Sequence, residues 1–459
     1  AQACVTEEGR RLESLRYHYR TIIVRYYSDV RIVVMRGVDE AMRRDALTIR
    51  ATKTLRDLVP AVLSVPAYQR VWRSSLLYYH AYHFEIITAG WVVLVKTGSP
   101  VSVGLVGFCR TIPMFVFGLI LGAAADRFRR TDVLLAVQML GMSAAMTLAV
   151  LFTTGAVQIW HIYLITGLLG CAWATDFSTR RALISELHAR DRIVNALSLE
   201  SMSMQGNKIL ATLLSGVFLA VGGATLCYWW LTVIYGLNLL AILRLRHFLG
   251  AAQERQTVRG VRLAQLVKGG FSTAMQTPIV LGVLLITVVM NLLVFPYQQM
   301  LPVIARDVLA VGPKQLGILA GADGIGAIIV GAVLIRRAKG SRHGVLFLAG
   351  AFCVSVFVIV LAMSRIFALS WGTQVTLGLC SGAFGAMQPV LILNNVEVHM
   401  RARAMGMLAM AIGVGPFGIL LTGVLSAIIG PAWTITGMAL LALALMTAVL
   451  TRSRTLLSA

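Results

Sequence analysis

Residues Gly104–Arg130, GLVGFCRTIPMFVFGLILGAAADRFRR, decide the fold. From Val101 to Ala125 nearly every residue is apolar or small. At roughly 1.5 Å rise per residue such a helical run crosses a ~30 Å hydrocarbon core. It passes Gly122 and stops at a charged turn, Asp126, Arg127, Arg129 and Arg130, after which another apolar run begins at once. The whole chain matches that reading. Its 459 residues are 58% hydrophobic and only 13% charged, with mean hydropathy +0.79, more apolar surface than a soluble domain of this length buries. The fold class expected is an all-α polytopic membrane protein.

Outward from this stretch the chain reads as twelve candidate spans, near 73–97, 101–125, 132–154, 158–179, 195–221, 225–245, 277–301, 314–335, 344–363, 369–394, 404–428 and 432–450. The formal charge of +22 follows the loops. Arg127/Arg129/Arg130, Arg180/Arg181/Arg190/Arg192, the stretch 244–268, Arg336/Arg337/Lys339/Arg342, Arg401/Arg403 and Arg452/Arg454 fall on one side, while the other carries chiefly Lys96, Arg306, Lys314 and Arg365. By the positive-inside rule both termini and the long connection are cytoplasmic, so the basic charge needs no nucleic acid to explain it. The expected division is a cytoplasmic amphipathic extension (1–70), a first six-helix half (71–245), a basic linker (246–274) and a second six-helix half (275–459). The extension has no apolar core with a cleavage site and reads as short helices lying on the membrane surface or docking a protein partner. Six scattered cysteines show no metal or disulfide spacing and read as packing residues.

Several strings carry a family resemblance. They are the Asp126 turn with Arg110 and Pro113 in the helix before it, Asp176–Leu187 (DFSTRRALISEL), Phe295-Pro296-Tyr297 with Leu301–Leu309 (LPVIARDVL), and Arg401–Met405. Together they resemble the major facilitator superfamily, in its bacterial efflux branch of enterobactin-type siderophore and macrolide exporters. The resemblance implies twelve helices in two halves, a bacterial cytoplasmic (inner) membrane, and secondary transport by alternating access, exporting amphiphilic organic molecules against protons. The chain departs from the pattern in places. Ala211-Thr212 stand where the branch has a glycine-proline pair associated with antiport, prolines are missing near Ser178 and Ser185, and the approach to Arg401 from Asn394 is short.

The second half repeats the charged turn at Gly331–Gly340 without its acid. An acid at a helix end holds a neighbouring helix N-terminus or an arginine in one conformation and releases it in another. Gly122, Asp126, Arg127, Arg130, Arg180 and Arg403 are therefore the candidate conformational latch, with Arg180 or the 401–405 turn as partner to Asp126.

Ionisable residues inside spans are expensive unless paired or facing water. Glu85 lies eleven residues before Lys96 and Arg110 nine after Val101, so adjacent antiparallel helices place both roughly 14–17 Å below the same surface. Asp323, nine residues beyond Lys314, reaches a similar level in the other half. Glu85, Arg110, Glu200 and Asp323 are the proton-coupling candidates, with Glu85 as carrier and Arg110 as its modulator; a static Glu85–Arg110 pair is the structural alternative. Burial favours a protonated carboxyl and an approaching cation favours the ionised one, the two states that coupling needs. Glu200 and Lys208, eight apart, share a helix face. Tyr78 and Tyr82 share a stripe with Glu85, and with Asn207, Lys208, Asn291, Gln298 and Gln388 they are the cavity-lining candidates. His80 and His83 do not make a metal site with Glu85, which lies about 140° and 160° round the helix from them. No Walker loop or catalytic triad is present, so no enzyme, cofactor or metal is expected. The partners expected are a small organic substrate and the lipid bilayer. A transporter fold kept as a scaffold or subunit of a larger complex is the alternative function.

Overall fold

The computed structural model describes residues 62–125, 128–188, 192–250, 277–337, 343–397 and 400–452. Most of the expected extension and linker, with Asp126 and Arg127 of the expected latch, lie outside them. The described residues form helices and no strand: α1 Pro66–Thr97, α2 Pro100–Ala125, α3 Arg130–Thr153, α4 Ile159–Leu187, α5 Ile193–Leu249, α6 Pro278–Val289, α7 Pro313–Arg337, α8 His343–Met363, α9 Phe367–Asn394, α10 Arg401–Gly413, α11 Gly415–Ile429 and α12 Pro431–Arg452. Prolines set many of the starts. Pro66, Pro100, Pro278, Pro313 and Pro431 each open a helix, where the missing N–H has no intrahelical partner to lose and φ is already helical.

Nine helical stretches among the described residues are long and apolar enough to cross a membrane, and one of them, Asn195–Leu249, covers 55 residues. At 1.5 Å per residue that stretch is about 80 Å long, more than two crossings. It folds back at Gly223, whose φ of 61° lies in the left-handed region open to glycine. Helices α1 and α4 have the length to span but not the apolarity. They carry Glu85 and the Asp176–Arg180 pair in their interiors.

Helix boundaries depart from the hydropathy reading in three places. Helix α1 starts at Pro66 instead of near 73, because Val62, Tyr68 and Val71 are buried in a small cluster with Leu134, Leu183 and Ile242. The run 404–428 is two helices, α10 and α11, meeting at Val414. Beyond α6 the chain continues as a wide helical turn (Met290–Val294), a tight one (Phe295–Gln298), one short turn (Leu301–Val303) and a second wide turn (Ile304–Val308). Pro296 forces part of this irregularity, since it supplies no N–H and crowds the carbonyl four residues back. Irregular backbone at membrane depth persists where it is buried in protein or lines a cavity. Here Pro296 and Tyr297 are buried, and the Leu292 backbone packs on Gly418 of α11.

Successive spans reverse direction, with α10 and α11 together as one span and α5 as two, so the bundle has a basic end and a lightly charged end, the latter carrying Lys96, Arg306, Lys314 and Arg365. Near the lightly charged end α2 meets α11 at Gly104 and Gly423, where a Cβ on Gly104 would stand 3.0 Å from the Gly423 Cα. Helix α5 meets α7 at Gly216 and Gly317, where a Cβ on Gly216 would stand 2.5 Å from the Pro313 carbonyl oxygen. Hydrogen bonds between the regions before and after the linker are made at this end and at mid-depth. Arg306 donates to the Leu94 and Gly98 carbonyls (3.0 and 3.4 Å), Gln299 to the Val103 carbonyl (3.5 Å), and Lys208 pairs with Asp323.

Candidate functional site

Close packing of α5 on α7 brings Lys208 and Asp323 together. Both lie on the basic-end side of the Gly216–Gly317 crossing, and their side chains meet in an ion pair. Asp323 is held by its backbone, which packs directly on Gly378 of α9. The pair borders a cavity of about 120 Å³ whose lining includes Tyr82 and His83 of α1, Tyr297 and Gln298 of the irregular stretch, and Gln374 of α9. The Tyr297 hydroxyl donates to Gln374 Oε1 at 3.3 Å. Three buried polar atoms of the lining have no protein partner: Asp323 Oδ1, Gln374 Nε2 and His83 Nε2.

A second, narrower pocket adjoins the first, sharing Ile86, and is bordered by Glu85, Arg110, Thr166 and Gln299. Glu85 and Arg110 meet across α1 and α2 as the depth count predicts, with Arg110 Nε 3.3 Å from Glu85 Oε2. Small residues on α4 make room for them: Thr166 donates to Glu85 Oε1 at 3.4 Å, and Gly170 faces Pro113 and the Arg110 backbone. The charge contact is incomplete as hydrogen bonding, because Glu85 Oε2 and Arg110 Nε and Nη1 make no hydrogen bond. The Arg110 guanidinium also lies 4.9 Å from the centre of the Tyr82 ring, which is itself stacked on Trp173 at 3.8 Å.

The other expected residues divide. Lys208, Asp323, Tyr82 and Gln298 lie at the cavity. Tyr78 is buried among Tyr79, Trp173 and Tyr235 and is not in its lining. Glu200 does not bond Lys208; it accepts from the Tyr79 hydroxyl at 2.8 Å. Asn207 and Asn291 donate to the carbonyls of Ser203 and Thr287 one turn back, and Gln388 donates to the Thr287 hydroxyl. Of these bonds only that of Gln388 ties two helices, α9 to α6, and none of the three amides borders the cavity. His80 accepts from the Trp230 indole at 3.1 Å.

Among the latch residues, Gly122 is in the last turns of α2 and Asp126 and Arg127 fall outside the described residues. Arg130 contacts Glu186 at 3.4 Å, and Arg403 is exposed beside Met400. Arg180 differs from the expectation. Read as a loop cation, it is buried inside α4 and gripped by Asp176, Nε to Oδ1 at 2.7 Å and Nη2 to Oδ2 at 2.8 Å. Its Nη1 donates to Ser74 and Ser75. This network, extended through Gln138 and Asn238, was open to the sequence in one respect, since Asp176 and Arg180 have the i, i+4 spacing of a helical ion pair. His83, Gln374 and Arg306 are the other site residues that spacing alone misses.

Crossing helices around a mid-depth cavity of mixed polar and apolar lining, with ion pairs buried beside it, are the architecture of a multi-pass membrane protein, and its similarity to known proteins identifies it as a transporter. Residues 59–457 match the family described as transmembrane secretion effector, and the chain belongs to that family of the major facilitator superfamily. It is 24% identical to the multidrug efflux pump Tap of Mycolicibacterium fortuitum over 74% of this chain and 84% of that one. It is 23% identical to the staphyloferrin A transporter of Staphylococcus aureus over 78% and 89%. The fold is similar to that of a bacterial homologue of the human lysosomal transporter Spinster in an inward-facing, unoccupied conformation (TM-score 0.65, 14% identity, 86% of this chain and 98% of that one). A POT family transporter in complex with 5-aminolevulinic acid gives a TM-score of 0.71 at 8% identity, over 85% and 96%.

Proposed function

We propose that the protein is a secondary active exporter of an amphiphilic organic compound, coupled to protons and working by alternating access in a bacterial inner membrane with both termini cytoplasmic. The observation that carries this reading is the mid-depth cavity with incompletely bonded charges beside it, Lys208–Asp323 between the halves and Glu85–Arg110 within the first. A protein kept only as a scaffold has no need of such a cavity or of orphaned buried polar atoms, which cost free energy and mark binding sites. The similarity to a multidrug efflux pump and to a staphyloferrin A transporter supports an organic substrate and outward movement.

In this reading Glu85 carries the proton and Arg110 modulates it. The contacts of Arg306 and Gln299 across the lightly charged end support a state joined there, with the halves parting at that end in the opposite state. The Asp126 turn latches the basic, cytoplasmic end in that opposite state, with the 401–405 turn as its partner because Arg180 is engaged by Asp176. Reconstituted vesicles carrying the full chain test the proposal against a panel of dyes, siderophores and lysolipids. Proton movement is expected with at least one compound, and Glu85→Gln is expected to abolish it. Undiminished coupled flux in that variant would transfer the carrier role to Asp323 or Glu200. No proton movement with any compound would favour the scaffold.

A further inference from the structure

The cavity holds one cation, Lys208, and one anion, Asp323, and its lining contains no other lysine, arginine or acid. The two side chains are 18% and 7% exposed, in contrast with the sealed Arg180–Asp176 pair at 1% each. The cavity can therefore reach Lys208 and Asp323, and it cannot reach the sealed pair. Asp323 Oδ1 lacks a donor and Gln374 Nε2, on a fully buried side chain, lacks an acceptor. The site thus asks for a donor and an acceptor on one ligand.

Resting on the proposed transport function, we propose that this cavity binds a zwitterionic head group, its ammonium on Asp323 and its carboxylate or phosphate on Lys208 and Gln374. A singly charged ligand that displaces one partner leaves the other charge buried and unpaired, which is strongly unfavourable. A zwitterion exchanges with both at no net change in charge. The placement of the pair adds a second reason. Lys208 is on one side of the linker and Asp323 on the other, so movement of the halves draws the two charges apart, and a bound zwitterion pairs each of them as they separate. At about 120 Å³ the cavity is smaller than the roughly 300–1,000 Å³ of a site that engulfs a drug-sized molecule. It accommodates a head group, with Tyr82 and Tyr297 offering ring surface beside it.

Photolabelling the full chain in lipid nanodiscs tests this with four probes that differ only in charge. These are para-benzoylphenylalanine (zwitterion), its methyl ester (cation), its N-acetyl derivative (anion) and its N-acetyl methyl ester (neutral), with labelled positions mapped by mass spectrometry. The zwitterion is expected to label the cavity at least about tenfold more than any other probe at equal, sub-saturating concentration. Lys208→Met is expected to move the preference to the ester, and Asp323→Asn to the N-acetyl derivative. The exchanged variant, Lys208→Asp with Asp323→Lys, keeps both charges for folding and is expected to keep the zwitterion preference. Equal cavity labelling by all four probes, or a preference unmoved by the single variants, would overturn the proposal. So would absence of cavity labelling by every probe in a preparation that still shows substrate-coupled proton flux. Loss of coupled flux altogether would count against the transport reading, which the vesicle experiment reads separately.

Discussion

Two buried ion pairs of α1, α2 and α4 have the same charges and opposite states of completion. Arg180 spends its guanidinium on both Asp176 oxygens and two serine hydroxyls. A fully satisfied network of this kind fixes one arrangement. Arg110 and Glu85 are just as buried, yet three of their polar atoms make no hydrogen bond, so the cost of parting them for a proton or a substrate is lower. Burial still makes each charge dependent on the other. Arg110→Leu alone is expected to destabilise the protein by about 3–5 kcal/mol, the cost of stranding one member of a buried pair. Glu85→Leu combined with Arg110→Leu is expected to be more stable than either single variant, because no lone charge remains. Thermal unfolding of the three proteins in the same detergent reads the order. The meeting of these residues was legible from counting depth along two helices that share a short turn. The Lys208–Asp323 pair was not, because its members are 115 residues apart and the face shared by Lys208 with Glu200 suggested a partner that the Tyr79 hydroxyl takes instead.

At the scale of elements, the contact between α5 and α7 is set by the absence of side chains at Gly216 and Gly317. A Cβ on Gly216 would lie 2.5 Å from the Pro313 carbonyl oxygen, so no larger residue is accommodated without moving a helix. Gly317→Val is accordingly expected to push α7 away from α5 and to disfavour the state joined at the lightly charged end. Overpacking of this kind costs roughly 1–3 kcal/mol, enough to shift a two-state equilibrium by about 5–150-fold. Spin labels at Ser99 and Gly312 are expected to report longer distances in the variant, and an unchanged distribution would mean that the seam yields locally. Hydropathy located most of these helices because a bilayer demands long apolar runs. It placed a span as far as residue 301 but did not record the alternation of wide and tight turns from Met290 to Val308, since Pro296 and the packing of Gly418 on Leu292 act through backbone geometry.

For the molecule as a whole, contacts at the lightly charged end include the helix seams, the Gln299 bond to the Val103 carbonyl and the arginine at position 306. Arg306 reaches from the end of the irregular stretch to the carbonyls of Leu94 and Gly98, capping the C-terminus of α1, while Asp307 steadies its guanidinium at 2.5 Å. Carbonyls at a helix C-terminus attract a cation, so this contact is both a cap and a bridge between halves. The side chain is 30% exposed, and solvent reduces its worth to about 1 kcal/mol. Arg306→Ala is therefore expected to raise the population opened at this end about fivefold, without the loss of folding expected for Arg110→Leu. A cysteine placed at Gln299, just inside the closure where the native side chain reaches the Val103 carbonyl, would measure it through its rate of reaction with a membrane-impermeant maleimide. A faster rate in Arg306→Ala, and an intermediate one in Arg306→Lys, would assign the closure to charge on the α1 carbonyls. An unchanged rate in both would remove Arg306 from the contacts that hold this end closed.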